Sequence, residues 1–400
     1  MAALQNPFKP GAGHMPPYLA GREDEKKEFA RLLEQKTILE NLVLTGLRGT
    51  GKTVLLETFK PMAQQGRWLW VGTDLSESAS LNEGSIATRL LTDLSVVTSA
   101  VKVGEFQVSE GIGFSRTEST VDQTLNYQTL QGIYESTPGL VEDKVKRVLE
   151  IVWSSIQHLG VAGIVFAYDE AQNLSDHAQK DQFPLSMLLD VFQSIQRKGV
   201  PFMLALTGLP TLFPKLVEAR TYAERMFRVV MLDKLNEQAV HDAISIPLKN
   251  YPIQLSKSSI QQIAALSGGY PYFVQFICRE VYDVFIQQIG NGKNPSVPSD
   301  EILRKLDSDF FVGRWARATD RQRELLGVIA ELEHCDGEFS VQDVTVKSKE
   351  VLEKPFGSSH VNQMLSSLAE SGLIYKNRHG KYSFAVPLLG QFIRRQKEYL

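Results

Sequence analysis

Cysteine is nearly absent from this chain. Cys278 and Cys335 lie far apart, which excludes a disulfide scaffold and fits two reduced thiols. An excess of charge is missing too: the formal net charge is −3, so a protein that coats nucleic acid over its whole surface is excluded and only a local basic patch remains open. Long apolar runs are lacking. The most apolar stretch, residues 200–217, is broken by Pro201, Thr207, Gly208, Pro210 and Pro214, so no membrane span is expected. The start, Met1-Ala-Ala-Leu-Gln-Asn-Pro-Phe8, lacks a basic-then-apolar leader, and the expected location is cytoplasmic. No Asn-Lys-x-Asp guanine motif occurs, which disfavours a GTPase, and no internal repeat or heptad array is visible.

What is present is an ordinary globular composition, with 43% hydrophobic residues in 400, enough for two or three domains. Residues 1–17 are rich in proline and glycine and predict an irregular arm, followed by a helix over 23–33. Short apolar runs at 42–45, 68–71, 163–168, 201–206 and 228–232 predict strands. Between them, helical spacing shows at 53–59, at 185–195, and in Val141, Val145, Val148, Leu149, Val152, Ile156 and Leu159, stopped by Gly160. Apolar strands alternating with helices predict an α/β fold, a parallel sheet covered on both faces. Residues 101–138 break the pattern and predict an inserted hairpin plus a mobile Ser/Thr/Gln-rich segment. After Leu235 the strands stop: helices are expected at 236–246, 258–266, 270–289 and 299–310. The last block reads helix, helix, helix, hairpin, opened by Thr319 and Gln322 at capping-box spacing. The expected domains are 1–235, 236–312 and 313–400.

Gly46-Leu-Arg-Gly-Thr-Gly-Lys52-Thr53 satisfies G-x-x-x-x-G-K-[ST] at every fixed position, between a predicted strand and a predicted helix. The chemistry needs these residue types. Glycines let successive N–H groups turn toward one point, a nest for phosphate oxygens formed by Gly46, Arg48, Gly49, Thr50 and Gly51. Lys52 reaches the β and γ phosphates, Thr53 ligates Mg²⁺, and Val54 continues the helix whose positive end faces the anion.

A second motif, Gly163-Ile-Val-Phe-Ala-Tyr-Asp169-Glu170, is an apolar strand ending in two carboxylates. In open α/β sheets, strand carboxyl ends face the ligand crevice. Asp169 is the candidate Mg²⁺ holder and Glu170 the candidate base that polarises the attacking water. The pair suits water activation better than transfer to a small-molecule acceptor. Thr207 closes another apolar strand and is a candidate contact to the γ-phosphate or the water.

With these pieces in place the chain resembles the AAA+ and allied STAND-type ATPases. Gly46–Thr53 is similar to their Walker A motif, Ile164–Glu170 to Walker B and Thr207 to sensor 1. Tyr18-Leu19-Ala-Gly-Arg22-Glu23 is similar to the box that lines the adenine pocket, and Ser267-Gly-Gly-Tyr270-Pro271-Tyr272 to the signature of the helical lid. With its terminal block, the chain is similar to origin-recognition-like prokaryotic AAA+ proteins. The resemblance implies a sheet of order 5-1-4-3-2, a helical lid and a C-terminal winged helix. ATP and Mg²⁺ would lie with Tyr18, Leu19 and Pro271 near the base. It also implies a homo-oligomer in which a neighbouring subunit supplies an arginine. Arg225 and Arg228 occupy the expected segment, with Arg220 a third candidate. Two departures stand out: Thr207 replaces the usual Asn, and the lid motif carries no arginine. A slow nucleotide switch that assembles with a protein partner is therefore the alternative to a hydrolysing enzyme coupled to DNA.

A winged helix reads DNA with its third helix and a basic wing. Here the third helix offers Ser358, Ser359, His360, Asn362, Gln363 and Ser366, and the wing Lys376, Arg378, His379 and Lys381, with Arg394, Arg395 and Lys397 beyond. Residues 317–400 hold twelve Lys/Arg against eleven Asp/Glu, a small net for a domain driven by phosphate contacts. DNA and a protein partner both remain expectations for this face.

Overall fold

The computed structural model describes residues 5–110, 117–378 and 380–398. The side chains of 103–123, Arg378, Lys397 and Glu398 lie outside the described residues, as does His379. The chain divides into two compact units, one of Met1–Glu23, Gly46–Val54 and Leu232–Leu400, the other of Asp24–Thr45 and Leu55–Met231.

The second of these is a sheet with its helices. In chain order, α1 (Glu23–Leu33) precedes β1 (Asn41–Gly46), α2 (Lys52–Gln65), β2 (Trp68–Val71) and α3 (Glu83–Thr98). A hairpin of β3 (Lys102–Glu110) and β4 (Thr117–Thr124) follows, then α4 (Tyr127–Ser136), α5 (Val141–Ile156), β5 (Gly163–Tyr168) and α6 (Pro184–Arg197). The unit ends with β6 (Phe202–Gly208), α7 (Leu212–Ala219), α8 (Ala223–Met226) and β7 (Phe227–Leu232). The sheet runs β2-β5-β6-β1-β7. Counting only these five strands, that is 5-1-4-3-2 read from the other edge, as the resemblance implied. β2–β5, β5–β6 and β6–β1 pair in parallel. Every residue of β1, β5 and β6 is buried, as expected of central strands covered on both faces.

Sequence pattern explains most of these elements. Val145, Val148, Leu149, Val152 and Ile156 share the buried stripe of α5, each contributing roughly 1.5–3 kcal/mol of burial. Gly160 then stops the chain in a left-handed turn, φ 74°. α2 runs past the expected end at Phe59 and through Pro61. Its buried Leu55, Leu56, Phe59 and Ala63 hold it, with Phe59 stacked on Phe29 at 4.2 Å between ring centroids. Tertiary packing there outweighs the missing helical bond. The insertion contains the expected hairpin, but residues 127–136 form a helix whose first turn is capped by Asn126. Asn41 opens β1 from inside the core: its carboxamide oxygen accepts from Leu204 N–H (2.8 Å) and from Gln196 (2.8 Å).

Among its described residues the other unit has helices and one small sheet. Among its described residues the arm contains neither helix nor strand, yet it is anchored: Phe8 is buried against Tyr282, and Asn6 donates to Asp283 at 2.8 Å. After β7 come α9 (Glu237–Leu248), α10 (Lys257–Ser267), α11 (Pro271–Gly290) and α12 (Ser299–Leu306), a π-helical turn over Asp307–Phe311, and α13 (Val312–Trp315). Asn236 and Ser256 cap α9 and α10, and Pro271 sits at the first position of α11. α14 (Asp320–Ala330), β8 (Phe339–Ser340), α15 (Val341–Val351), α16 (Ser358–Glu370), β9 (Ile374–Arg378), β10 (Lys381–Phe384) and α17 (Leu389–Glu398) complete it. One helix, α14, before β8, two between β8 and β9, and the sheet order β8-β10-β9 are compatible with a winged helix. The Thr319–Gln322 capping box forms in both directions. α17 is an addition to the pattern expected from sequence. Phe392 stacks on Phe311 at 5.1 Å, and Arg395 pairs with Asp307 in the π-helical turn. No helix among the described residues is long and apolar enough to cross a membrane.

Candidate functional site

The loop after β1 has the backbone that its sequence requires. Gly49 and Gly51 adopt φ of 81° and 89°, conformations that an L side chain rarely takes, and a Cβ on Gly49 would crowd the Tyr272 side chain at 3.2 Å. Lys52 curls over the loop, donating to Gly46 O and Leu47 O at 2.9 Å each. Thr53 and Val54 follow in the first turn of α2. Two further bonds fasten the loop within its unit. The Arg22 guanidinium, almost fully buried, donates to Thr50 O (3.0 Å) and to Asp233 O (2.8 Å). Tyr272 N–H in the first turn of α11 donates to Gly49 O at 3.1 Å. The Tyr18–Arg22 box and the Pro271 signature are thus each tied to the phosphate-type loop, through Arg22 and through Tyr272.

Arg48, Arg314 and Arg317 cluster on the same unit, and none makes an ion pair among the described residues. Arg314 lies over the Phe310 ring at 4.2 Å and donates to Phe310 O. Burial lowers its hold on its proton, and the like charges of Arg48 and Arg317 lower it further. The sequence marked Arg48 alone.

In the sheet unit, three carboxyl ends carry the polar groups. β5 runs into Asp169, which is buried, and Glu170, which is exposed. Asp169 Oδ1 accepts from Glu170 N–H at 2.8 Å, while its backbone joins Thr73 and Leu75. Glu170 itself is left-handed, φ 51°, an uncommon state for a residue with a side chain and a form of strain that clusters at functional sites. On β1 and β6, register pairs Leu44 with Thr207 and Thr45 with Gly208. The hydroxyls of Thr45 and Thr207 are both buried without a hydrogen-bond partner. An orphaned buried hydroxyl is costly and demands a reason.

A polar network surrounds Glu170. Gln172 Nε2 donates to its carboxylate, and Gln172 Oε1 accepts from Leu209 N–H at 3.1 Å. Lys215 on α7 donates to Gln172 O and Ser175 Oγ, both at 2.6 Å, and burial lowers its affinity for its proton. Sequence reasoning missed Gln172 and Lys215. Only the position of Gln172, two residues after the acidic pair, could have suggested it.

The three arginines of the 220–228 segment separate clearly. Arg220 is committed to Asp190 through two nitrogens and to Ser186, and Tyr222 also donates to Asp190 at 2.6 Å. Arg228 pairs with Glu28 at 2.9 Å. Arg225 is exposed and makes no ion pair among the described residues.

On the winged helix, Ser358, Ser359, His360, Asn362, Gln363 and Ser366 all lie on the exposed face of α16. Lys376 is exposed, and Lys381 lies 3.7 Å from Asp343. Arg394 and Arg395 are engaged internally, with Ala330 O and Asp307 respectively. The Arg378, His379 and Lys397 side chains lie outside the described residues.

A domain of unknown function, DUF8462, matches residues 308–393. No curated protein matches the chain. Among solved structures, the Walker-type ATPase PABY2304 of Pyrococcus abyssi is similar over 94% of this chain and 96% of its own, with 15% identity and a TM-score of 0.58. The ORC2 protein of Aeropyrum pernix in its ADP form is similar over 98% of this chain and 99% of its own, with 13% identity and a TM-score of 0.53. The fold is similar to theirs: a parallel five-stranded sheet with its helices, and a C-terminal part whose small sheet is compatible with a winged helix.

Proposed function

We propose that the chain binds Mg-ATP at Gly46–Thr53 and hydrolyses it with Glu170 as the base, in a domain layout of 1–235, 236–312 and 313–400. The observation that carries the reading is the loop itself: two left-handed glycines, a lysine folded over them, and anchoring bonds from Arg22 and Tyr272. The orphaned hydroxyls of Thr45 and Thr207, each one residue before the carboxyl end of its strand, support it. Bound Mg²⁺ would add positive charge at the β and γ phosphate oxygens. Thr53 and Asp169 would hold it, and two protein ligands with phosphates and waters suffice for this ion. Glu170 would orient and deprotonate the attacking water, Thr207 would meet it or the γ-phosphate, and Tyr18, Leu19 and Pro271 would flank the base. The solved ORC2 structure in an ADP form supports a nucleotide ligand for this fold.

Arg225 is the arginine best suited to reach a neighbouring subunit, because Arg220 and Arg228 are committed within the chain. Arg225→Ala should lower turnover of the assembled protein by about 10³-fold or more while leaving ATP affinity unchanged. Arg220→Ala should instead lower the melting temperature, since it leaves Asp190 with Tyr222 but without its cationic partner. Equal turnover in Arg225→Ala and wild type would remove Arg225 from the reaction.

The same reading couples nucleotide state to duplex DNA through α16 and the wing, with Asn362, Gln363, Lys376, Arg378 and Lys381 in contact. Lys376→Ala with Lys381→Ala should weaken DNA binding and reduce the salt slope by about one for each phosphate no longer neutralised. Unchanged affinity and slope would favour the second reading, a switch that assembles with a protein partner. One observation supports that alternative: Arg394 and Arg395, two of the basic residues that flank the wing, serve internal packing.

A further inference from the structure

We infer that Gln172, in the turn after β5 and held by the turn after β6, is a positioning residue that orients the Glu170 carboxylate; this rests on the proposed role of Glu170 as the base. A carboxylate on a flexible side chain has two oxygens and several lone pairs. To direct a water in line it must be held in one orientation, and misplacement by about 1 Å costs roughly 100-fold. Glu170 is exposed, and its left-handed backbone alone does not fix its carboxylate. The Gln172 amide does. Its Nε2 donates to Glu170 Oε2, leaving Oε1 to take the proton of a water. Its Oε1 accepts from Leu209 N–H at 3.1 Å, two residues beyond Thr207.

Three features show that this amide is built in. Lys215, half-buried on α7, holds the backbone of the same residue through Gln172 O at 2.6 Å and the adjacent turn through Ser175 Oγ at 2.6 Å. Gly208 leaves the space: a Cβ there would lie 2.5 Å from Gln172 Oε1 and 3.3 Å from Gln172 N. The Thr207 hydroxyl, buried and without a partner, lies one residue before the end of the strand whose next turn grips the amide. A ligand contact at Thr207 and the orientation of Glu170 therefore share one short path, Thr207–Gly208–Leu209–Gln172–Glu170.

The test is single-turnover release of phosphate from Mg-ATP by the full chain, in wild type, Gln172→Met, Gly208→Ala, the double variant and Glu170→Gln. Gln172→Met keeps the volume and removes both bonds, and Gly208→Ala displaces the amide without deleting it. Each should lower the maximal rate about 10- to 100-fold, with ATP affinity by fluorescent-analogue titration within about twofold of wild type. The double variant should lose no more than the larger single loss, because both changes act through the same amide. Unchanged rates in both single variants, rates that rise, or affinity that falls in step with rate would overturn the positioning role. If Glu170→Gln turns over like wild type, the base assignment itself fails. If Glu170→Gln is inactive and Gln172→Met is not impaired, only the positioning role fails.

Discussion

Lys52→Ala should abolish detectable ATP binding while the protein stays folded. The lysine ammonium already reaches over the glycine turn, where it donates at 2.9 Å to two carbonyls, Gly46 O and Leu47 O. Those neutral acceptors offer far less than phosphate oxygens would. Charge-assisted bonds to a bound anion are worth about 1.5–3 kcal/mol each. Losing two of them lowers affinity by at least about 100-fold. The fold should tolerate the change, because Lys52 stands at the first position of α2 and is only partly buried. Calorimetric titration with Mg-ATP and a thermal melt check both halves. Wild-type affinity in the folded variant would contradict the loop assignment.

Glu170→Gln should do the opposite, holding ATP and losing turnover. General-base catalysis contributes about 10²- to 10⁴-fold, so phosphate release should fall by that range. Glutamine keeps the shape and the acceptor oxygen, so the bond from Gln172 can persist on the amide oxygen. The substitution therefore removes the base with little disturbance of its surroundings. The left-handed backbone at 170 is a property of the turn and is retained. Quenched-flow phosphate release beside an equilibrium nucleotide titration measures both quantities. Unimpaired turnover would remove Glu170 from the chemistry. Weakened binding with unimpaired turnover would assign it to nucleotide contact instead.

Much of this was legible in the sequence because local chemistry dictates it. The loop at 46–53 announces itself through glycine spacing, and the left-handed angles at Gly49 and Gly51 are what that spacing is for. The strand ending at Tyr168, the capping box at Thr319 and the stop at Gly160 are likewise readable within a few residues. What stayed hidden depends on partners far along the chain. Arg220 looks like any surface arginine until Asp190 and Tyr222 close on it. Gln172 and Leu209 lie 37 residues apart, and no pattern links them. Arg314 sits in a short helix after the π-helical turn, and its proximity to Arg48 follows from tertiary packing within the unit. The stretch 127–136 reads as mobile because it is rich in Gln, Thr and Ser; its cap at Asn126 and the buried Leu130 make it a helix.

Phosphate release from Mg-ATP by wild type and Glu170→Gln, each with and without duplex DNA, is the decisive measurement. A water-activating Glu170 in a DNA-coupled ATPase predicts Mg-dependent release by wild type, a rate that changes when duplex is added, and no release above background from the variant. Tight ATP binding with no release under any condition would contradict it, leaving a nucleotide-held switch whose partner is a protein.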